Sequence, residues 1–198
     1  MNHASSTSPI VSAIQPNSLS QSVLARRTAA VVLGSLLVAV CAYVSIPLGF
    51  TPVPITLQTF AVLFLGLTFS PGVAASALLL YLLEGMAGLP VLSPIGMVGF
   101  LHILGPTGGY LFAYPAGAAL TGLLRRRIGS GGFAGSMLAG AAGSAVILAS
   151  GAAWFAVLTH QSPGTVLSFT VAPFLPGDIL KVVAAAGAAT GLRRFRRA

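Results

Sequence analysis

Apolar side chains along this chain gather into long continuous runs, separated by short stretches rich in Pro, Gly, Thr and Arg. The strands of a β-barrel would alternate apolar and polar residues in short segments, so the runs predict helices instead. They fall at 29–46, 55–69, 73–86, 107–124, 133–158 and 177–192. Pro47 and Gly49 stop the first run, and Ser70-Pro71-Gly72 divides the second from the third. The second and third are each shorter than the roughly 20 residues that a full membrane crossing prefers. They count as two helices because one uninterrupted helix of their combined length would be far too long. The segment 88–106 is apolar but broken by Pro90, Pro94 and Pro106 and by four glycines. Non-helical backbone near membrane depth survives only where it is buried in protein or lines a cavity, so a cap or re-entrant loop is expected there. Residues 1–22 are polar and predicted to form a mobile tail. Residues 23–198 are predicted to form one all-α, six-helix polytopic membrane domain.

Composition agrees with lipid as the main solvent. The chain is 56% hydrophobic and 6% charged, with a mean hydropathy of +0.95, whereas a soluble domain carries about 25% charged residues. The formal charge of +8 is not spread over a basic face. Arg26–Arg27, Arg125–Arg127 and the group Arg193, Arg194, Arg196 and Arg197 each flank an apolar run, which is how cytoplasmic loops are marked. Nucleic-acid binding is therefore not expected; attraction to anionic membrane lipid is. Arg26 and Arg27 follow a long polar lead, so the first run is expected to stay as an anchor and not to be cleaved as a signal peptide. An even number of crossings must separate the first two arginine clusters. Six helices with both termini in the cytoplasm satisfies all three clusters. The turn 47–54, the loop 88–106 and the connection 159–176 then face outward.

Against this background the stretch from Phe174 to Lys181 stands out. Asp178 is one of two acidic residues and Lys181 the only lysine, and their i, i+3 spacing puts them on one helix face. Ionisable side chains inside a membrane segment are expensive and usually face a bundle interior or cavity. Glu84, the other acid, falls near the outer end of its helix. Cys41 reads as a small core residue, and His3, His102 and His160 match no metal-ligand spacing. No nucleophile, base and orienter fall into register, which argues against a membrane-embedded enzyme. The small-xxx-small steps Ala30–Gly34, Gly117–Thr121 and Gly187–Gly191 allow helices to approach closely, either within the bundle or against another protein.

Four blocks carry a family likeness: Pro52-Val53-Pro54-Ile55-Thr56-Leu57-Gln58-Thr59-Phe60; Leu80-Tyr81-Leu82-Leu83-Glu84-Gly85 with Gly88-Leu89-Pro90-Val91; Gly105-Pro106-Thr107-Gly108-Gly109-Tyr110-Leu111; and Pro176-Gly177-Asp178-Ile179-Leu180-Lys181. In order and spacing, across residues 29–192, they resemble the BioY family, the biotin-binding S components of energy-coupling factor transporters. The resemblance implies a six-helix S component of a bacterial inner membrane that captures biotin from outside. It also implies partnership with a transmembrane T component and a pair of ABC ATPases, with no cofactor of its own. The chain has no phosphate-cradling Gly-x-x-x-x-Gly-Lys-Ser/Thr, so it cannot supply the ATPase itself. By resemblance, Ala30 and Gly34 mark the helix-one surface that docks the T component. The segment from Leu92 to Met97 replaces an expected Gly-rich stretch, and no ligand contact is carried over to it.

Biotin presents a ureido ring with two N–H donors and a carbonyl, an apolar thioether bicycle and a carboxylate tail. Asp178 could accept from ureido N–H groups, and Lys181 could donate to a carbonyl or carboxylate. Gln58 and Glu84 are further polar candidates, and Tyr81 and Tyr110 candidate walls for the bicycle. Each has a plainer reading: Asp178 and Lys181 neutralising each other, Glu84 solvated at the interface, the tyrosines as belt aromatics, and Gln58 as packing glue between helices. The competing functions are a carrier for another small vitamin and a non-transport membrane enzyme or assembly factor.

Overall fold

The computed structural model describes residues 17–94, 98–129 and 132–195. Residues 1–16 of the expected tail, 95–97 of the outer loop, and Arg196 and Arg197 of the last basic cluster lie outside the described residues. The described chain runs α1 (Asn17–Tyr43), β1 (Ser45–Ile46), β2 (Ile55–Thr56), α2 (Gln58–Thr68), α3 (Pro71–Met86), α4 (Phe100–Ile103), α5 (Gly108–Ile128), α6 (Phe133–Thr159), α7 (Pro163–Thr170) and α8 (Leu175–Phe195).

The longer helices follow the apolar runs, and the differences lie at their ends. α1 reaches back to Asn17, into the last residues expected as tail, and stops at Tyr43. Ser45 and Ile46, expected in the first helix, are extended and pair antiparallel with Thr56 and Ile55, expected in the second. Pro52 and Pro54 hold the residues before them out of the helical region, so α2 cannot begin until the chain is past them. α3 starts where the punctuation predicts: Ser70 caps it by accepting from the Val73 N–H, with Pro71 in the first turn. α5 continues through Arg125, Arg126 and Arg127, where basic side chains favour the C-terminal end of the helix dipole. Two short helices, α4 and α7, sit inside the loop 88–106, expected to be irregular, and the connection 159–176. Ser162 caps α7 in the same Ser-Pro manner.

Among the described residues three helices are long and apolar enough to cross a membrane, namely Gln21–Tyr43, Phe133–Thr159 and Leu175–Phe195, while Gln58–Thr68 and Pro71–Met86 are apolar but shorter. The outer surface matches a lipid solvent. Val32, Leu33, Leu36 and Val40 on α1, Leu138 and Val157 on α6, and Ile179 and Leu180 on α8 are all exposed.

Close approach of backbones holds the centre. A Cβ at Gly143 on α6 would lie 2.0 Å from Thr121 Oγ1 and 2.9 Å from the Gly117 carbonyl on α5, so Gly117–Thr121 is a packing step within the bundle. Gly34 also turns inward: a Cβ there would meet that of Ala77 on α3 at 2.9 Å. The basic clusters converge on one end of the bundle. Arg27 shares a groove with Ser70 and Gly72, Arg125 donates to the Leu67 carbonyl at the end of α2, and Arg193 donates to Ser136 near the start of α6.

Candidate functional site

A cavity of about 340 Å³ opens at the other end of the bundle. Its walls come from the β1–β2 connection, the outer loop, α4 and the first two turns of α5. Pro47, Leu48, Pro52, Val53, Pro54, Leu92, Leu101 and Leu111 make it mostly apolar, and Thr51, Thr56, Gln58, His102, Tyr110 and Tyr114 place a few polar groups on it. That mixture, at the lower end of the roughly 300–1,000 Å³ of small-molecule sites, suits a compact ligand with a polar head.

Tyr110 reaches the wall because α5 starts pressed onto α6. A Cβ at Gly109 would lie 2.2 Å from the Trp154 Cβ. One at Gly151 would lie 2.3 Å from the Tyr110 ring, so only glycine there lets the ring lie flat on α6. The Tyr110 hydroxyl donates to the Thr170 carbonyl at 2.6 Å, and its ring sits 6.2 Å from that of Phe174. Thr51 Oγ1 donates to the neighbouring Phe169 carbonyl at 3.0 Å, tying the end of α7 to the same wall. Gly151→Val should push Tyr110 off α6, at an overpacking cost of about 1–3 kcal/mol. Thermal melts in detergent should show a lowered midpoint; an unchanged melt would mean the wall yields freely.

Gln58 begins α2 and is buried, and its amide is fully used. Nε2 donates to the Tyr81 hydroxyl and, at 3.1 Å, to the Leu92 carbonyl. Oε1 accepts from Thr56 Oγ1 at 2.8 Å and from the Tyr114 hydroxyl at 3.4 Å. Tyr81, wholly buried behind this amide, donates to the Val91 carbonyl at 3.0 Å, and Tyr43 donates to the Pro90 carbonyl. Three successive loop carbonyls are thus gripped by side chains from α1, α3 and α2. Leu92 itself packs into the space a Cβ on Gly85 would fill.

The expected site residues are therefore divided. Gln58 and Tyr110 line the cavity, and Tyr81 stands behind Gln58. Asp178 and Lys181 are outside the lining: Asp178 lies one turn beyond Phe174, its N–H bonded to the Phe174 carbonyl. Asp178 is buried and Lys181 nearly so, their side chains 7% and 11% exposed and 4.0 Å apart. Asp178 also accepts from Ser144 on α6. Glu84 accepts from the buried Ser35 hydroxyl of α1 and does not line the cavity. Ala30 is half-buried and Gly34 buried on α1. Among the described residues no group of His, Cys, Asp and Glu could hold a metal ion. Tyr114 and His102 are lining residues that sequence reasoning passed over. Tyr114 had a legible signal, four residues beyond Tyr110 and so on the same helix face. His102 had none, since a lone histidine in an irregular loop points nowhere.

A sequence model of the BioY family matches residues 12–198. The chain is 37% identical over 159 residues to the biotin transporter BioY of Thermotoga maritima, an alignment covering 80% of this chain and 90% of that one. It is 34% identical over 161 residues to the probable biotin transporter BioY of Pyrococcus horikoshii, covering 81% and 92%. Among solved structures its fold is similar to the S component for biotin from an ECF-type ABC transporter, with a TM-score of 0.80 and 25% identity over 87% of this chain and 93% of that chain. The matching fold, the near-complete family match and relatives above 30% identity along most of both chains lead to one assignment: this chain belongs to the BioY family.

Proposed function

We propose that this chain takes up biotin, as the S component of an ECF-type transporter that captures the vitamin at the outer face of a bacterial inner membrane. The observation that carries the reading is the position of the cavity, at the helix ends opposite the described arginine clusters. With those clusters cytoplasmic, six crossings place both termini inside and the cavity outside. Its relatives bear the name biotin transporter. Transport, not catalysis, is the family's activity.

In this reading Tyr110 walls the bicycle, and Asp178 and Lys181 bind the polar groups of the vitamin. Asp178 lies one turn beyond Phe174, whose ring packs 6.2 Å from that of Tyr110 in the cavity wall. Gln58 and Tyr81 hold the wall and loop, and Glu84 sets α1 through Ser35. The exposed apolar face of α1, beside Ala30 and Gly34, takes the T component, which with two ABC ATPases supplies the energy. Labelled biotin uptake by cells expressing this chain tests the proposal. Uptake should need the T component and ATPases and be competed by unlabelled biotin only. Accumulation of thiamin or riboflavin in its place would reassign the carrier.

A further inference from the structure

We infer that His102 reads the carboxylate of the ligand at the cavity mouth, which sets the ligand's direction: bicycle inward, tail outward. The inference rests on the biotin reading above and deepens it. Biotin carries one ionised group, and an ionised carboxylate in an apolar cavity is unstable without a cation or donors. The described arginines lie at the other end of the bundle, and Lys181 is paired with Asp178 behind the wall. His102 is the one side chain among the described lining residues that can carry positive charge near neutrality. It is half-buried at the end of α4, next to the exposed Leu101 of the same wall. That puts this part of the wall towards solvent, at the mouth and not at the floor. Thr107 Oγ1 lies 3.5 Å from His102 Nε2 and also lines the cavity, so a hydroxyl stands beside the imidazole as a second donor. The far wall, made by Tyr110 and Tyr114, is left for the ureido ring.

The test is equilibrium binding of biotin and of biotin amide, whose carboxylate is replaced by a neutral carboxamide, to the wild-type, His102→Gln and His102→Lys proteins. His102→Gln should weaken biotin by roughly 10- to 100-fold, as expected for a lost charge-assisted hydrogen bond, and change the amide by less than about twofold on the same scale. His102→Lys should keep the preference for the carboxylate. The ratio of the two affinities is what is read. A loosened fold weakens both ligands alike, so an unchanged ratio in His102→Gln overturns the inference, as does unchanged biotin affinity. Wild-type protein that binds biotin while the ratio stays flat rejects His102 alone. Wild-type protein that binds no biotin rejects the underlying reading and this inference with it.

Discussion

Asp178→Asn is expected to abolish biotin retention, with at least a 100-fold loss of affinity. The carboxylate and Lys181 lie 4.0 Å apart and nearly out of solvent, and the pair offers both an acceptor for ureido N–H groups and a donor for the carbonyl. Removing one partner leaves the other charge buried and uncompensated, which costs about 3–5 kcal/mol. The single substitution is therefore expected to lower stability as well as binding. The double substitution Asp178→Asn with Lys181→Met separates the two effects. Neutralising a buried ion pair with residues of similar volume is often harmless to the fold, so the thermal midpoint should return towards the wild-type value. Biotin binding should not return with it. Equilibrium binding of labelled biotin to the three proteins decides between the roles. If the double variant regains affinity together with stability, the pair is structural and the ligand does not meet it.

Gln58→Leu is expected to have the second-largest effect, mainly on the fold of the outer end. The amide satisfies four partners at once, and leucine satisfies none of them. Each buried group left unpaired costs about 1–3 kcal/mol, and the losses overlap, so a total of roughly 3–5 kcal/mol is a reasonable expectation. The Leu92 carbonyl loses its donor, and Tyr81 loses the amide that fixes its hydroxyl towards the Val91 carbonyl. The loop that forms part of the cavity wall should loosen. Hydrogen exchange of residues 89–94, compared with that of α6, checks this. Faster exchange confined to the loop is the expected pattern, whereas protection at the wild-type level would mean that Tyr43 and the packing of Leu92 on Gly85 suffice.

The helices were legible where a strong local signal ended them. Ser70-Pro71-Gly72 needed no tertiary information, because a capping hydroxyl and a proline in the first turn act within one turn of chain. The paired strands at 45–46 and 55–56 were not legible, since two residues are too few to show a period of two. Pro163 was read as part of a connection, yet as the first residue of α7 it starts a helix. The small-residue steps show a deeper limit. Ala30–Gly34 and Gly117–Thr121 look alike in sequence, and both readings of such a step predict the same residues. Only the fold shows that Gly34 meets Ala77 and that Gly117 meets α6.

The candidate site was partly legible for the same reason. Asp178 and Lys181 stood out because charge is scarce in this chain, but scarcity says nothing about which cavity a side chain faces. The cavity draws its wall from three separated stretches, 45–58, 92–93 and 101–114, a juxtaposition that no local pattern encodes. Gln58 was a candidate ligand group and also a candidate for glue between helices. Its four bonds place it in the wall as the group that holds the loop, on the edge of the space it was expected to serve.

Isothermal titration of the purified protein in detergent with biotin, thiamin and riboflavin tests the central claim most directly. Saturable one-to-one binding of biotin, with no heat from the other two vitamins, is the predicted result. Binding of thiamin or riboflavin in preference to biotin, or no binding of biotin by folded protein, would contradict the account.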